Sequence, residues 1–163
     1  MSAELTIATP AAVSCAANAT TFVVGATANS GEPLYLKDMD LTFDESDAAS
    51  KGMLIEVAYW DTQGSSGSDV DARYNDSRIS ATPPDGQYNM TGTSTSIPNT
   101  NKVPLLDPFH MHPNEKVFGF DLRGLVVPAG KTVAVSVTNP TGNVAPKCTA
   151  LLRMSRSPLP AAA

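Results

Sequence analysis

Between residues 116 and 154 apolar and polar positions alternate in three successive runs. In the run Lys116 to Leu122, Phe118, Phe120 and Leu122 fall on one side and Gly119, Asp121 and Arg123 on the other, the period-two signature of a half-buried strand. Val127-Pro128-Ala129-Gly130 then predicts a tight turn that reverses the chain, because proline presets the backbone at the second turn position and glycine is favoured at the fourth. Lys131 to Asn139 alternates again, with Val133, Val135 and Val137 against Thr132, Ala134, Ser136 and Thr138, and it stops at the breaker Asn139-Pro140-Thr141-Gly142. Cys148, Ala150, Leu152 and Met154 form a third apolar face. Together these strands predict an all-β antiparallel β-sandwich.

The first third of the chain carries the same signature. Glu4 to Ala8 alternates briefly before Pro10, which predicts an N-terminal arm or edge strand over residues 1–10, able to dock on its own domain or on a neighbour. Residues 11–19 are small and alanine-rich without a clear period, compatible with one helical turn. Thr21 to Ala26 predicts a strand with Phe22, Val24 and Ala26 on one side, followed by a loop over Asn29 to Pro33. In Leu34 to Phe43 the apolar phase moves from Leu34 and Leu36 to Met39, Leu41 and Phe43. A one-residue phase shift predicts a β-bulge at Lys37-Asp38. Asp44 to Gly52 is acidic and small, predicting a short helix begun at Asp44 or Ser46. Met53 to Trp60 is apolar on both sides apart from Glu56, the pattern of a strand covered on both faces.

The regular pattern lapses from Asp61 to Asp107, where Ser, Gly, Thr and Pro dominate and Val70, Tyr74, Ile79, Tyr88, Met90 and Ile97 are sparse. Loops longer than about 12–15 residues are uncommon inside compact domains and commonly carry function. Residues 61–107 are therefore expected to form one long insertion that covers the sheet, contacts a partner, or does both. Residues 11–155 are expected to make a single sandwich domain, and the proline-containing residues 156–163 an exposed tail.

Composition narrows the class. Of 163 residues 17% are charged, against a usual quarter or so, which suits short strands and turns better than helices. Eleven basic residues against sixteen acidic ones give a net charge of −5 without a basic cluster, so nucleic acid is not an expected partner. Glu4 stands where a signal peptide needs basic residues, and no apolar run approaches a membrane span, so synthesis in a cytoplasm and no membrane partner are expected. Cys15 and Cys148 lie far apart in apolar surroundings, which predicts buried reduced thiols rather than a disulfide.

Candidate chemistry is thin. His110 and His112 stand at i and i+2, where a strand turns both to one side, with Glu115 close behind. With Pro128-Ala129-Gly130 this loosely resembles the cupin pattern, which implies a metal inside a jelly-roll barrel. However, Val133 stands where that pattern has its later histidine, and His112 to Glu115 is one residue short, so turn or surface histidines are the better reading and no metal is expected. Asp69-Val70-Asp71-Ala72-Arg73 begins like a calcium loop but has Arg73 where a third ligand belongs. No serine lies in a nucleophile elbow, neither cysteine has an adjacent base, and no glycine-rich loop opens a helix, so neither an enzyme nor a cofactor is expected. Tyr59, Trp60, Tyr74 and Tyr88 supply a possible sugar-stacking platform, although alternation puts Tyr59 and Trp60 on opposite faces. A carbohydrate-binding or receptor-binding module is thus the alternative to a structural role, and a degenerate cupin-like enzyme a further one.

The segment Phe118 to Thr141, FGFDLRGLVVPAGKTVAVSVTNPT, is similar to the closing strands of jelly-roll proteins that decorate tailed-phage heads, where a VPAG(K/E)T turn leads into an alternating strand ending in TNP or TNG. Phe22 to Phe43 resembles the opening strands of that group. The resemblance implies a capsid decoration, or cement, protein with a jelly-roll-like sandwich, located on the virion surface. It implies major capsid subunits as partners and a homo-oligomer, a trimer for preference. Leu5 and Ile7 of the arm and Tyr74, Tyr88 and Met90 of the long loop are the expected contacts.

Overall fold

A computed structural model describes residues 4–9, 12–28, 31–44, 52–61, 101–113, 115–140 and 145–158, and the backbone of 73–74. Among these residues there are twelve strands and no helix: β1 Glu4–Ala8, β2 Val13–Ser14, β3 Thr20–Thr27, β4 Leu34–Phe43, β5 Met53–Trp60, β6 Arg73–Tyr74, β7 Val103–Pro104, β8 Phe109–Met111, β9 Lys116–Asp121, β10 Val126–Val127, β11 Thr132–Thr138 and β12 Lys147–Ser155. They form two antiparallel sheets packed face to face, a β-sandwich. In the first sheet β12 lies between β4 and β1; β2 extends the β1 side, β6 pairs with β1, and β9 and β10 share the far edge of β4. In the second sheet β11 lies between β3 and β5, while β7 and β8 share the far edge of β5.

The inner faces follow the alternation in the chain. Leu34, Leu36, Met39, Leu41 and Phe43 of β4, Val133, Val135 and Val137 of β11, and Cys148, Ala150, Leu152 and Met154 of β12 all enter one core. Each large apolar side chain so buried contributes roughly 1.5–3 kcal/mol. The expected bulge in β4 is present: Asp38 pairs with Arg153 and Leu36 with Met154, so Lys37 is the extra residue that moves the apolar phase. β5 is covered on both faces as its composition predicts, with Met53, Ile55 and Val57 in the core, and Ala58 and Trp60 buried with Phe22 and Ala134 on the opposite face. The outer face of the first sheet is charged instead, with Lys37 bound to Glu4 at 2.8 Å and Arg153 bridging Asp38 and Asp40.

Several expectations are corrected. Leu5 and Ile7, expected on a docking arm, are at 0% and 1% exposure, because β1 pairs with β12 along its whole length and turns both side chains into the chain's own core. Of residues 11–19, the described residues 12–19 contain the strand β2 and a turn at Asn18, whose φ is 52°, rather than a helical turn. A bulge at Val23 separates Phe22 from Val24 and Ala26 and sends its ring to the opposite face. The turn after β10 runs from Pro128 to Lys131, whose N–H donates to the Pro128 carbonyl at 3.1 Å, with Gly130 at φ 76° in the third position, where a type II turn requires positive φ. It does not join neighbouring strands, since β10 belongs to the first sheet and β11 to the second. The expected helix over Asp44 to Gly52 falls on residues 45–51, outside the described residues.

Candidate functional site

A further departure from simple alternation, in β9, shapes the site. Met39 pairs with Phe120 and Leu41 with Val117, so the two residues Phe118 and Gly119 face the single residue Asp40. Gly119 has φ 62°, a left-handed value that glycine adopts without the steric penalty of a Cβ, and its N–H donates to Asp40 Oδ1 at 2.7 Å. The bulge inverts the phase: Val117 and Phe120 pack against the core, while Phe118 projects to solvent at 69% exposure. The expectation that Phe118, Phe120 and Leu122 share one buried face is therefore corrected for Phe118.

After β9 the chain makes a second glycine turn. Leu125 N–H donates to the Leu122 carbonyl at 3.1 Å, and Gly124, at φ 97°, takes the left-handed position. This turn is tied to β4 by Leu122 N–H to the Lys37 carbonyl at 2.9 Å and Leu36 N–H to the Leu125 carbonyl at 3.0 Å. Lys37 is itself the β4 bulge residue, so one irregularity anchors the next. Opposite, on the edge of the second sheet, Leu105 N–H donates to the Val57 carbonyl at 2.9 Å and fixes the segment between β7 and β8. Phe109 of β8 stacks on Phe120 of β9, ring centroids 5.3 Å apart and planes at 11°, where the two sheet edges meet.

An open cleft of about 590 Å³ lies at this junction. Leu106, Phe109, Phe120, Leu122 and Leu125 provide its apolar lining, and Asp107, Asp121 and Arg123 its polar lining. Arg123 closes on Asp121 through three hydrogen bonds: its backbone N–H and Nε to Oδ1, both at 2.9 Å, and Nη2 to Oδ2 at 3.0 Å. The hydrogen bonds from the Arg123 side chain hold the Asp121 carboxyl below its usual value, and the pairing raises Arg123 in return. Both groups are exposed, so the pair orients side chains at the cleft more than it stabilises the fold. Among the described residues the exposed large hydrophobics are Phe118, Val126 and Val103, on β9, β10 and β7. β9 and β10 pair with the outer edge of β4, and β7 with the outer edge of β5.

The residues expected to carry other chemistry are dispersed. His110 is exposed on β8, opposite Leu54. The Glu115 carboxylate accepts a hydrogen bond from the His112 backbone N–H at 2.8 Å, and Glu115 N–H donates to the His112 carbonyl at 2.9 Å, so Glu115 fastens a turn. Among the described residues no group of three or more His, Cys, Asp or Glu side chains gathers as a metal-binding set. Tyr59 is half-buried against the core, and Trp60 is buried edge-to-face on Phe22 at 5.5 Å, so Trp60 offers no open stacking face. The Tyr74 backbone pairs with Leu5. Tyr88, Met90, Asp69 and Asp71 lie outside the described residues.

Reading the chain as plain alternation misses the cleft, because Phe109, Leu106 and Leu125 meet Phe120 only through the pairing of distant edges. The available signal was Gly119 itself, since a glycine inside a strand pattern marks a bulge or a close backbone approach. No protein-family model, curated protein or solved structure shows a significant match to the chain.

Proposed function

We propose that this chain is a structural virion protein that binds the outside of an assembled phage capsid and stabilises it by bridging major capsid subunits. The observation that carries the reading is the open, largely apolar cleft where the edges of the two sheets meet, together with Phe118, Val126 and Val103, which are exposed on the edge strands β9, β10 and β7. Large exposed aromatics beside such a cleft are the usual anchors of protein contacts. Support also comes from the similarity of Phe118 to Thr141 to closing strands of head-decorating jelly rolls, a segment that spans β9, β10 and β11 and includes Phe118.

A protein of this kind acts without turnover. Binding the assembled shell and not its free subunits adds its binding free energy to the shell by mass action. Copies around a threefold axis give closed symmetry, and each interface needs on the order of 1,000 Å² or more. With Leu5 and Ile7 committed to the core, Phe118 takes their place as the principal contact, and Tyr74, Tyr88 and Met90 remain proposed secondary contacts. The test is occupancy on purified heads stripped of this protein. Wild-type chain should rebind heads and not free capsid subunits, and Phe118→Asp should reduce occupancy at least about tenfold with an unchanged unfolding midpoint. Failure of the wild type to bind heads would sink the reading; full occupancy by the variant would remove Phe118 from it.

A further inference from the structure

The cleft between the sheet edges has walls fixed to the inner strands on both sides. On the first sheet, the hydrogen bonds from Leu122 N–H to the Lys37 carbonyl and from Leu36 N–H to the Leu125 carbonyl fasten the Gly124 turn to β4. On the second, Leu105 N–H binds the Val57 carbonyl and Phe109 pairs opposite Ile55, so the residues between Leu105 and Phe109 are held at both ends. Pro108 stiffens that segment, since its ring fixes its own φ and keeps the preceding Asp107 extended. The site is thus preformed, and a group entering it has little of this chain to order. Its charges are uneven. Arg123 is committed to Asp121 by three hydrogen bonds, one of them from its own backbone. Asp107, exposed on the second sheet's side of the cleft, has no hydrogen-bond or ion-pair partner among the described residues. A lining of leucine and phenylalanine beside one unpaired carboxylate selects an occupant with an apolar body and a positive charge next to it. Pockets for small ligands bury most of the ligand's surface. This cleft is open, and it suits a side chain presented by a protein surface, which brings its own cover.

We propose that the cleft receives a leucine-like or phenylalanine-like side chain from a segment of a partner protein in which an adjacent lysine or arginine pairs with Asp107. That this partner is a capsid subunit rests on the reading above; the chemistry of the contact rests on the cleft itself. The apolar side chain displaces water from Leu106, Phe109, Leu122 and Leu125 and supplies most of the affinity, because burying it is worth more than an exposed ion pair. The ion pair with Asp107 sets which way the segment lies and discriminates against acidic segments, for which the same carboxylate is repulsive. Arg123 does not serve acidic segments in its stead, since both of its side-chain donors that face Asp121 are already used there.

The experiment titrates three blocked dipeptides into the purified chain and follows its backbone amides by NMR: acetyl-phenylalanyl-lysine amide, its glutamate counterpart, and acetyl-glycyl-lysine amide. The phenylalanyl-lysine probe should shift the Leu106, Phe109, Leu122 and Leu125 amides saturably. It should bind at least about threefold more tightly than the glutamate probe and at least about tenfold more tightly than the glycyl one. Asp107→Asn should abolish the preference for lysine over glutamate with an unchanged unfolding midpoint. Equal binding of the lysine and glutamate probes by the wild type, shifts confined to other residues, or cleft amides that move with protein concentration alone, as a second copy in the cleft would make them, would each overturn the proposal. So would tighter binding of phenethylamine than of the dipeptide, which would assign the cleft to a free amine. The result separates from that of head binding: a chain that takes the lysine probe but ignores heads keeps the site and loses the capsid as its partner, and one that binds heads but rejects the probe loses the site alone.

Discussion

Thr21 and Gly119 show how single atoms set local stability. Thr21 pairs with Val137, is fully buried, and its Oγ1 has no hydrogen-bond partner in the structure. A buried hydroxyl without a partner costs about 1–3 kcal/mol, and valine has the same shape without that cost. Thr21→Val should therefore stabilise the chain by about 1 kcal/mol in urea unfolding; a lower midpoint would show that the hydroxyl is satisfied. At Gly119 an added Cβ would meet nothing within 4 Å, so the penalty of Gly119→Ala comes from φ 62° alone. About 1–2 kcal/mol of destabilisation follows. A variant of unchanged stability would mean that the bulge is not needed for the fold.

Among the elements, β9 depends most on a side chain elsewhere. Asp40 accepts the Gly119 N–H on one side and the Arg153 guanidinium on the other, with Nη2 to Oδ2 at 3.0 Å. It thereby joins the bulge in β9 to the centre of the sheet through β4 and β12. The Asp38 and Asp40 carboxylates raise Arg153 above its usual value. Asp40→Ala removes both links and should cost about 1 kcal/mol, since the groups are partly exposed. The more telling readout is the Gly119 amide, whose hydrogen exchange should accelerate at least about tenfold while amides of β11 stay protected. Equal acceleration throughout would mean that β9 and β11 open together. Sequence reasoning found β4 and its bulge because five apolar residues record the phase on both sides of Lys37. It misplaced Phe118 because a strand as short as β9, Lys116–Asp121, carries too few residues after the bulge to reveal a change of phase.

Over the whole molecule, nearly every pairing joins distant parts of the chain, most plainly Glu4 to Ser155 between β1 and β12. Such non-local topology makes folding slow, on the order of milliseconds to seconds. It also makes the N-terminus structural: deleting residues 1–9 removes Leu5, Ile7 and one strand of the first sheet, and should cost at least about 3 kcal/mol in unfolding free energy. A deletion variant with an undiminished unfolding midpoint would contradict that account. The alternating residues alone determined that the chain is an antiparallel β-sandwich and which sides of β4, β11 and β12 face inward, because period-two burial is a local property of a strand. Tertiary structure alone decided which edges meet, and hence that Phe109 stacks on Phe120 beside an open cleft and that Phe118 points outward. Those contacts depend on pairing between segments far apart in the chain and on bulges that reset the phase, and neither leaves a mark in local periodicity.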